Sequence, residues 1–185
     1  MQREQFRYQP YYCEENIWNL CQAPELSSFQ RYVVFVSNPS KCCALWFQKA
    51  SRTREEPVVW DYHVILLCKQ EHWMIWDLDT TLHFPIPLSN YLEATFWGTP
   101  MIPEVYSPWF RVIEADIFLK TFSSDRSHML NEKGEFIQEP PKWPLCQAQP
   151  NEMNLMQFVQ MQHLGRDTFV GEVFALPSLR AGFLE

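Results

Sequence analysis

The sequence predicts one α+β domain built on a mainly antiparallel sheet, and three observations lead there. The chain has 185 residues, 46% hydrophobic and 16% aromatic, which lies in the usual one-domain range and supplies one sizeable core. Strand-like runs follow one another without regular alternation with helices, the order of an α+β fold. Only five glycines occur, at spacings that form no dinucleotide or phosphate loop, which excludes the glycine-rich nucleotide folds.

The elements follow in chain order. Residues 1–10 read as an extended lead. Apolar positions at Cys13, Ile17, Leu20 and Cys21 have helical spacing, so a helix covers 13–22 with Cys13 in its first turn. Tyr32 to Val36 is a strand closed by Ser37-Asn38-Pro39-Ser40, and Ala44 to Phe47 a further one. Val58 to Cys68 and Trp73 to Leu78 are the strongest strands. Phe110 to Ile113 continues the sheet, Asp116 to Phe122 is a short helix, Asn154 to Met161 an Asn-capped helix, and Gly171 to Leu176 a last strand. The proline-rich stretch from Glu139 to Pro144 reads as a rigid surface connection within the same domain.

Fifteen Lys and Arg stand against 22 Asp and Glu, for a net charge of -7 without any basic run; this argues against a nucleic-acid partner. The longest apolar run, Val64 to Cys68, is too short to span a bilayer, and the N-terminus carries no apolar leader core. The expected home is a reducing compartment, cytoplasmic or also nuclear. There, six cysteines (Cys13, Cys21, Cys42, Cys43, Cys68 and Cys146) are packing residues or reactive thiols rather than a disulfide set. Their spacings match no common zinc pattern.

One constellation can carry chemistry. A three- or five-residue loop centred on Gln70 makes cross-strand partners sum to 140, which sets His63 opposite Asp77 on one sheet face; a four-residue loop would separate them. A carboxylate beside an imidazole fixes its tautomer and stabilises the imidazolium. Cys13, at a helix start, has its thiolate favoured by the positive end of the dipole and by a nearby His⁺. The chain order Cys, His, Asp is that of the transglutaminase-like branch of papain-type folds. Alternatives stay open: Asp61, His63, Asp77 and Asp79 could share a face and hold a metal, and His128 is a rival base without a carboxylate in register. Trp60 and Tyr62 fall on the face opposite His63 and read as core.

The stretches Tyr12-Cys13-Glu14-Glu15-Asn16-Ile17-Trp18, Val59-Trp60-Asp61-Tyr62-His63-Val64, Asp77-Leu78-Asp79-Thr80, Phe110-Arg111-Val112-Ile113 and Ser124-Asp125-Arg126-Ser127-His128-Met129 resemble the protein N-terminal glutamine amidohydrolases. Glu139-Pro140-Pro141 and Met153-Asn154-Leu155 agree as well. The resemblance runs in order over almost the whole chain. It implies a monomeric α-β-α domain with a transglutaminase/papain-like core and a catalytic triad of Cys13, His63 and Asp77. It also implies deamidation of a polypeptide's N-terminal glutamine to glutamate with release of ammonia, feeding the N-degron pathway, with no metal or organic cofactor. The substrate's free α-ammonium calls for carboxylates or carbonyls; Glu14, Asp61 and Asp125 are the candidates, each with an alternative role at a helix start, turn or network. The same triad logic would serve a peptidase, a transglutaminase or another acyl-transfer enzyme, and a binding module with these residues in its core is the non-enzymatic alternative.

Overall fold

The computed structural model describes residues 1–150, 152–166 and 169–184. After a single 3-10 turn at Arg3–Gln5 and an extended stretch, helix α1 covers Cys13–Cys21, strand β1 Gln30–Ser37, β2 Cys43–Leu45, β3 Val58–Trp60, β4 His63–Lys69 and β5 Trp73–Trp76. Then come β6 (Ile86–Pro87), α2 (Leu88–Thr95), β7 (Trp109–Glu114), α3 (Ala115–Thr121), α4 (Leu155–Val159), β8 (Gly165–Arg166), β9 (Glu172–Ala175) and α5 (Leu176–Leu184).

The main sheet has the order β6-β5-β4-β1-β7-β9-β8, and its neighbouring strands pair antiparallel. It is buried on both faces, which is why β1 and β4 read as nearly continuous apolar runs. Val33, Phe35, Val64 and Leu66 pack with Ile17 and Leu20 of α1, Phe118 of α3 and Phe158 of α4. Val34, Val36, Ile65 and Leu67 pack on the other side with Tyr91 and Leu92 of α2 and Leu179 of α5. Helices therefore cover both faces, and the period of two along each strand divides the core into two layers. On the first face Phe35 stacks on Phe158 with centroids 5.4 Å apart, and Phe118 lies 4.7 Å from Phe122.

The expected strand from Val58 to Cys68 is two strands. β3 pairs with β2 in a separate two-stranded sheet, while β4 joins the main one. The chain bends at Asp61-Tyr62, where the Asp61 carboxylate accepts from the Tyr62 amide (2.9 Å) and the Asp61 carbonyl accepts from the Ser37 hydroxyl (2.6 Å). The β4–β5 loop is Gln70-Glu71-His72, with Lys69 opposite Trp73, so partner numbers sum to 142. The expected sum of 140 is displaced by two, which keeps every side chain on its expected face. Asn154 has no capping bond to its helix; its side chain accepts from the Ser123 amide and donates to the Thr121 carbonyl, clamping two loops. Helices α2 and α5 had no counterpart in the sequence reading, and Leu176, expected to end the last strand, starts α5. Gly171, just before β9, needs its glycine, because φ is +78° and a Cβ would meet the Val112 carbonyl at 2.5 Å.

Candidate active site

A cavity of about 650 Å³ opens where α1 meets β4, a size suited to a small ligand or one side chain with its backbone. Cys13 reaches it from the start of α1, His63 from the first position of β4, Asp79 from the turn after β5, and His128 from the 3-10 turn Ser127–Met129. Tyr8, Pro10 and Tyr11 of the N-terminal lead close one side, and Trp60, Asp61 and Tyr62 at the β3–β4 bend another. Tyr62 is buried in the core, as expected, and Trp60 packs against the second core layer; both also present an edge to the cavity.

The structure brings His63 and Asp77 together, with Nε2 3.0 Å from Oδ1. The pairing does not come from strand register, because the β4–β5 ladder ends at Leu66 opposite Trp76 and continued pairing would set His63 against Asp79. Asp77 instead follows the last residue of β5 and turns its side chain back. Both oxygens are matched: Oδ1 also accepts from the Asp79 amide (2.9 Å), and Oδ2 accepts from the Tyr91 hydroxyl (2.8 Å) and Gln48 Nε2 (3.3 Å). His63 is 2% and Asp77 0% exposed. Burial would push the imidazole down and the carboxyl up, but their mutual attraction and hydrogen bonding outweigh it, so His63 lies above and Asp77 below its ordinary value. An ionised carboxylate only accepts, so Nε2 carries the proton and Nδ1 is the basic nitrogen.

Cys13 is 8% exposed. Burial first, then the charges of Glu14 and Asp79, push its thiol well above the ordinary range. Desolvation and the neighbouring carboxylates thus oppose the effect expected of the helix dipole on this thiol. The other cysteines are free; Cys21, Cys43, Cys68 and Cys146 are buried, and half-buried Cys42 donates to the Val105 carbonyl at 3.3 Å.

The three carboxylates singled out in the sequence have different places. Asp61 is exposed and lines the cavity. Glu14 is fully buried behind the wall, accepting from Tyr62 Oη at 3.0 Å. Asp125 is exposed, outside the lining residues, and its carboxylate accepts from the Ser127 amide (2.9 Å) in the turn that carries His128. Two more charged residues line the cavity: Asp79, singled out in the sequence only as a metal-ligand alternative, and Lys49, which was not singled out. Asp79 accepts from Tyr8 Oη at 2.6 Å and is pushed up mainly by burial; its period-two relation to Asp77 was the signal available. Lys49 sits 3.9 Å above the Tyr8 ring, and nothing in its sequence neighbourhood announced it. His63, Asp77 and Asp79 offer ligand atoms within 4.8 Å of one another; both Asp77 oxygens already have donors, whereas Asp79 has one on Oδ1.

A thiol at a helix start and a buried imidazole–carboxylate pair, on one cavity of an α+β scaffold, are the parts of a cysteine-dependent acyl-transfer enzyme. Comparison with known proteins makes the class particular. The sequence model of the family described as N-terminal glutamine amidase matches residues 8–183. Relatives named protein N-terminal glutamine amidohydrolase include one from Danio rerio, 42% identical over 179 residues (91% of this chain, 85% of the relative). One from Bos taurus is 40% identical over 176 residues (92% and 83%), and one from Arabidopsis thaliana 37% identical over 179 (91% and 80%). The chain belongs to the N-terminal glutamine amidase family.

Proposed function

We propose that the protein deamidates the N-terminal glutamine of polypeptides to glutamate, with Cys13 as nucleophile, His63 as general base and acid, and Asp77 as the residue that orients and charges His63. The observation that carries the reading is the 3.0 Å His63–Asp77 pair on the cavity that Cys13 also lines, in a chain of this family. Nδ1 of His63 removes the Cys13 proton as sulfur attacks the side-chain amide carbon. Backbone amides of the first turn of α1, which have no intrahelical acceptor, stabilise the oxyanion. The imidazolium returns its proton to the leaving nitrogen, ammonia departs, and a thioester remains. Water, deprotonated by His63, then hydrolyses the thioester to a γ-carboxylate and restores the thiol.

Two further points belong to this reading. A cysteine in the first turn of a helix packed on the strand that carries the histidine supports a transglutaminase-like core. Asp61 and Asp79, both on the cavity, are the carboxylates suited to a free α-ammonium, and the length of the glutamine side chain then sets its amide at the sulfur. The protein acts as a monomer in a reducing, cytosolic or nuclear compartment, and its glutamate product enters the N-degron pathway.

Purified protein incubated with a peptide beginning in Gln is expected to release ammonia and yield the Glu peptide, leaving acetylated and internal Gln untouched. Equal turnover of internal Gln would remove the N-terminal assignment. Cys13→Ala is expected to stop turnover while the circular dichroism spectrum and Tm stay close to wild type; normal turnover in that variant would remove Cys13 as nucleophile.

A further inference from the structure

One buried group beside the nucleophile has no part in that mechanism. Glu14 is 0% exposed. Its Oε2 accepts from Tyr62 Oη at 3.0 Å and from Cys13 Sγ at 3.7 Å. Its Oε1 faces His128 Nε2 at 3.4 Å, without the alignment of a hydrogen bond, and neither Oε1 nor His128 Nδ1 has a hydrogen-bond partner among the described residues. Tyr62 Oη is also 3.4 Å from His128 Nε2. A carboxylate oxygen left without a donor in the interior is costly. This one is kept directly next to the thiol that must react.

We propose that Glu14 is a positioning residue that holds Cys13 as the neutral thiol at rest, with its own charge checked by Tyr62 and His128. The inference rests on Cys13 being the nucleophile. A thiol that donates to a carboxylate stays protonated, because ionising it would set two anions 3.7 Å apart in a dry site. The surroundings act in the same sense. The bend before β4 brings Asp61 and Tyr62 to the site, the turn after β5 brings Asp79, and the N-terminal lead brings Tyr8; His63, Lys49 and His128 are the groups that can carry positive charge there. A resting Cys13 is thereby shielded from adventitious oxidants and electrophiles, which need the thiolate. A substrate with a free α-ammonium carries a cation into this acidic cavity, relieves the penalty on the thiolate, and so couples nucleophile formation to the presence of the correct terminus.

The test is the pH dependence of Cys13 alkylation by iodoacetamide, read by mass spectrometry at Cys13 in wild type, Glu14→Gln and Tyr62→Phe. Glu14→Gln is expected to raise the alkylation rate at pH 7 about tenfold by moving the thiol midpoint down about one pH unit. Tyr62→Phe takes a donor away from Glu14 and is expected to move the midpoint up. The acid limb of kcat/KM should move down in Glu14→Gln, a change that a purely structural role would not produce. An unchanged midpoint in folded Glu14→Gln overturns the proposal; if that variant does not fold, an unchanged or lowered midpoint in Tyr62→Phe overturns it. Alkylation is read at the sulfur and not through turnover, so absence of ammonia release from Gln peptides would defeat the functional reading while leaving this measurement decisive.

Discussion

Glu14 and Glu15 are consecutive in the first turn of α1 and equally buried, yet their partners differ. Glu15 accepts from Arg126 Nε (2.6 Å) and Nη2 (2.8 Å), from Trp143 Nε1 (2.7 Å) and, weakly, from Cys146 Sγ (3.7 Å). Arg126 in turn donates to the Pro141 and Trp143 carbonyls, so this ion pair ties α1 to the Ser124–Ser127 loop and to the proline-rich segment. Glu14 has half its oxygens matched. Asp77 belongs with Glu15, since every oxygen of both meets a donor. Satisfied charges here fix geometry, whereas the half-satisfied one stands where a protonation state has to change. Helical geometry produces the divergence, because adjacent residues point about 100° apart and one faces the cavity wall while the other faces the loops.

The contrast can be broken in several ways, the largest effect first. Asp77→Asn keeps the shape but removes the charge and the tautomer control, so kcat is expected to fall by about 10³–10⁴-fold; steady-state ammonia release measures it, and a loss under tenfold would show that Asp77 fixes nothing. Glu15→Gln leaves Arg126 buried without its counter-charge and should cost about 3–5 kcal/mol in urea unfolding. Glu14→Gln should stay within about 1 kcal/mol of wild type in the same titration, because a half-matched carboxylate contributes little. Equal losses in the two variants would end the distinction. Tyr91→Phe leaves Asp77 Oδ2 only the longer Gln48 contact and is expected to lower kcat about tenfold.

The smallest effect is in pH. His63 is raised from its ordinary 6.5, so its share of stability is complete below 6.5 and is lost as pH climbs through the folded value. Asp77 is lowered from 3.8, so its share is present above 3.8 and is lost as pH falls through the folded value. The Tm difference between wild type and Asp77→Asn should therefore be greatest between about pH 3.8 and 6.5 and shrink as pH rises through the folded value of His63. A difference that grows toward pH 9 would contradict the charged pair.

How far the site could be read from the residues follows from how local each signal is. The start of α1 at Cys13 was legible, because Cys13, Ile17, Leu20 and Cys21 recur at helical spacing within one segment. The partnership of His63 with Asp77 was reached by parity alone: the loop was misplaced by one residue, but a shift of two in register preserves the face, and Asp77 then arrives by a turn that no register rule describes. The bend at Asp61-Tyr62 was hidden because Val58-Val59-Trp60 and Val64 to Cys68 are equally strand-forming, and nothing local says that the first pairs with β2 while the second joins the main sheet. His128 and Glu14 are 114 residues apart in sequence, and only tertiary packing sets them 3.4 Å apart. Helix α5 was obscured by Pro177 and Gly182, which local propensity counts against a helix although Leu179 is buried against the sheet.

The N-terminal lead has a consequence for how this site can vary. Tyr8, Pro10 and Tyr11 form part of the cavity wall; the lead contributes no helix or strand to the layers and is fastened by Asn16, which exchanges two hydrogen bonds with the Gln9 backbone, by Tyr8 on Asp79, and by Phe6 against Trp76. Phe6 thus ties this strap to β5, but Pro10 and Tyr11, exposed at its end, can be re-tailored without repacking a strand. The shape of the pocket and the stability of the sheet are thus open to change on largely separate terms, the one through the exposed end of the lead and the other through the two buried faces behind it.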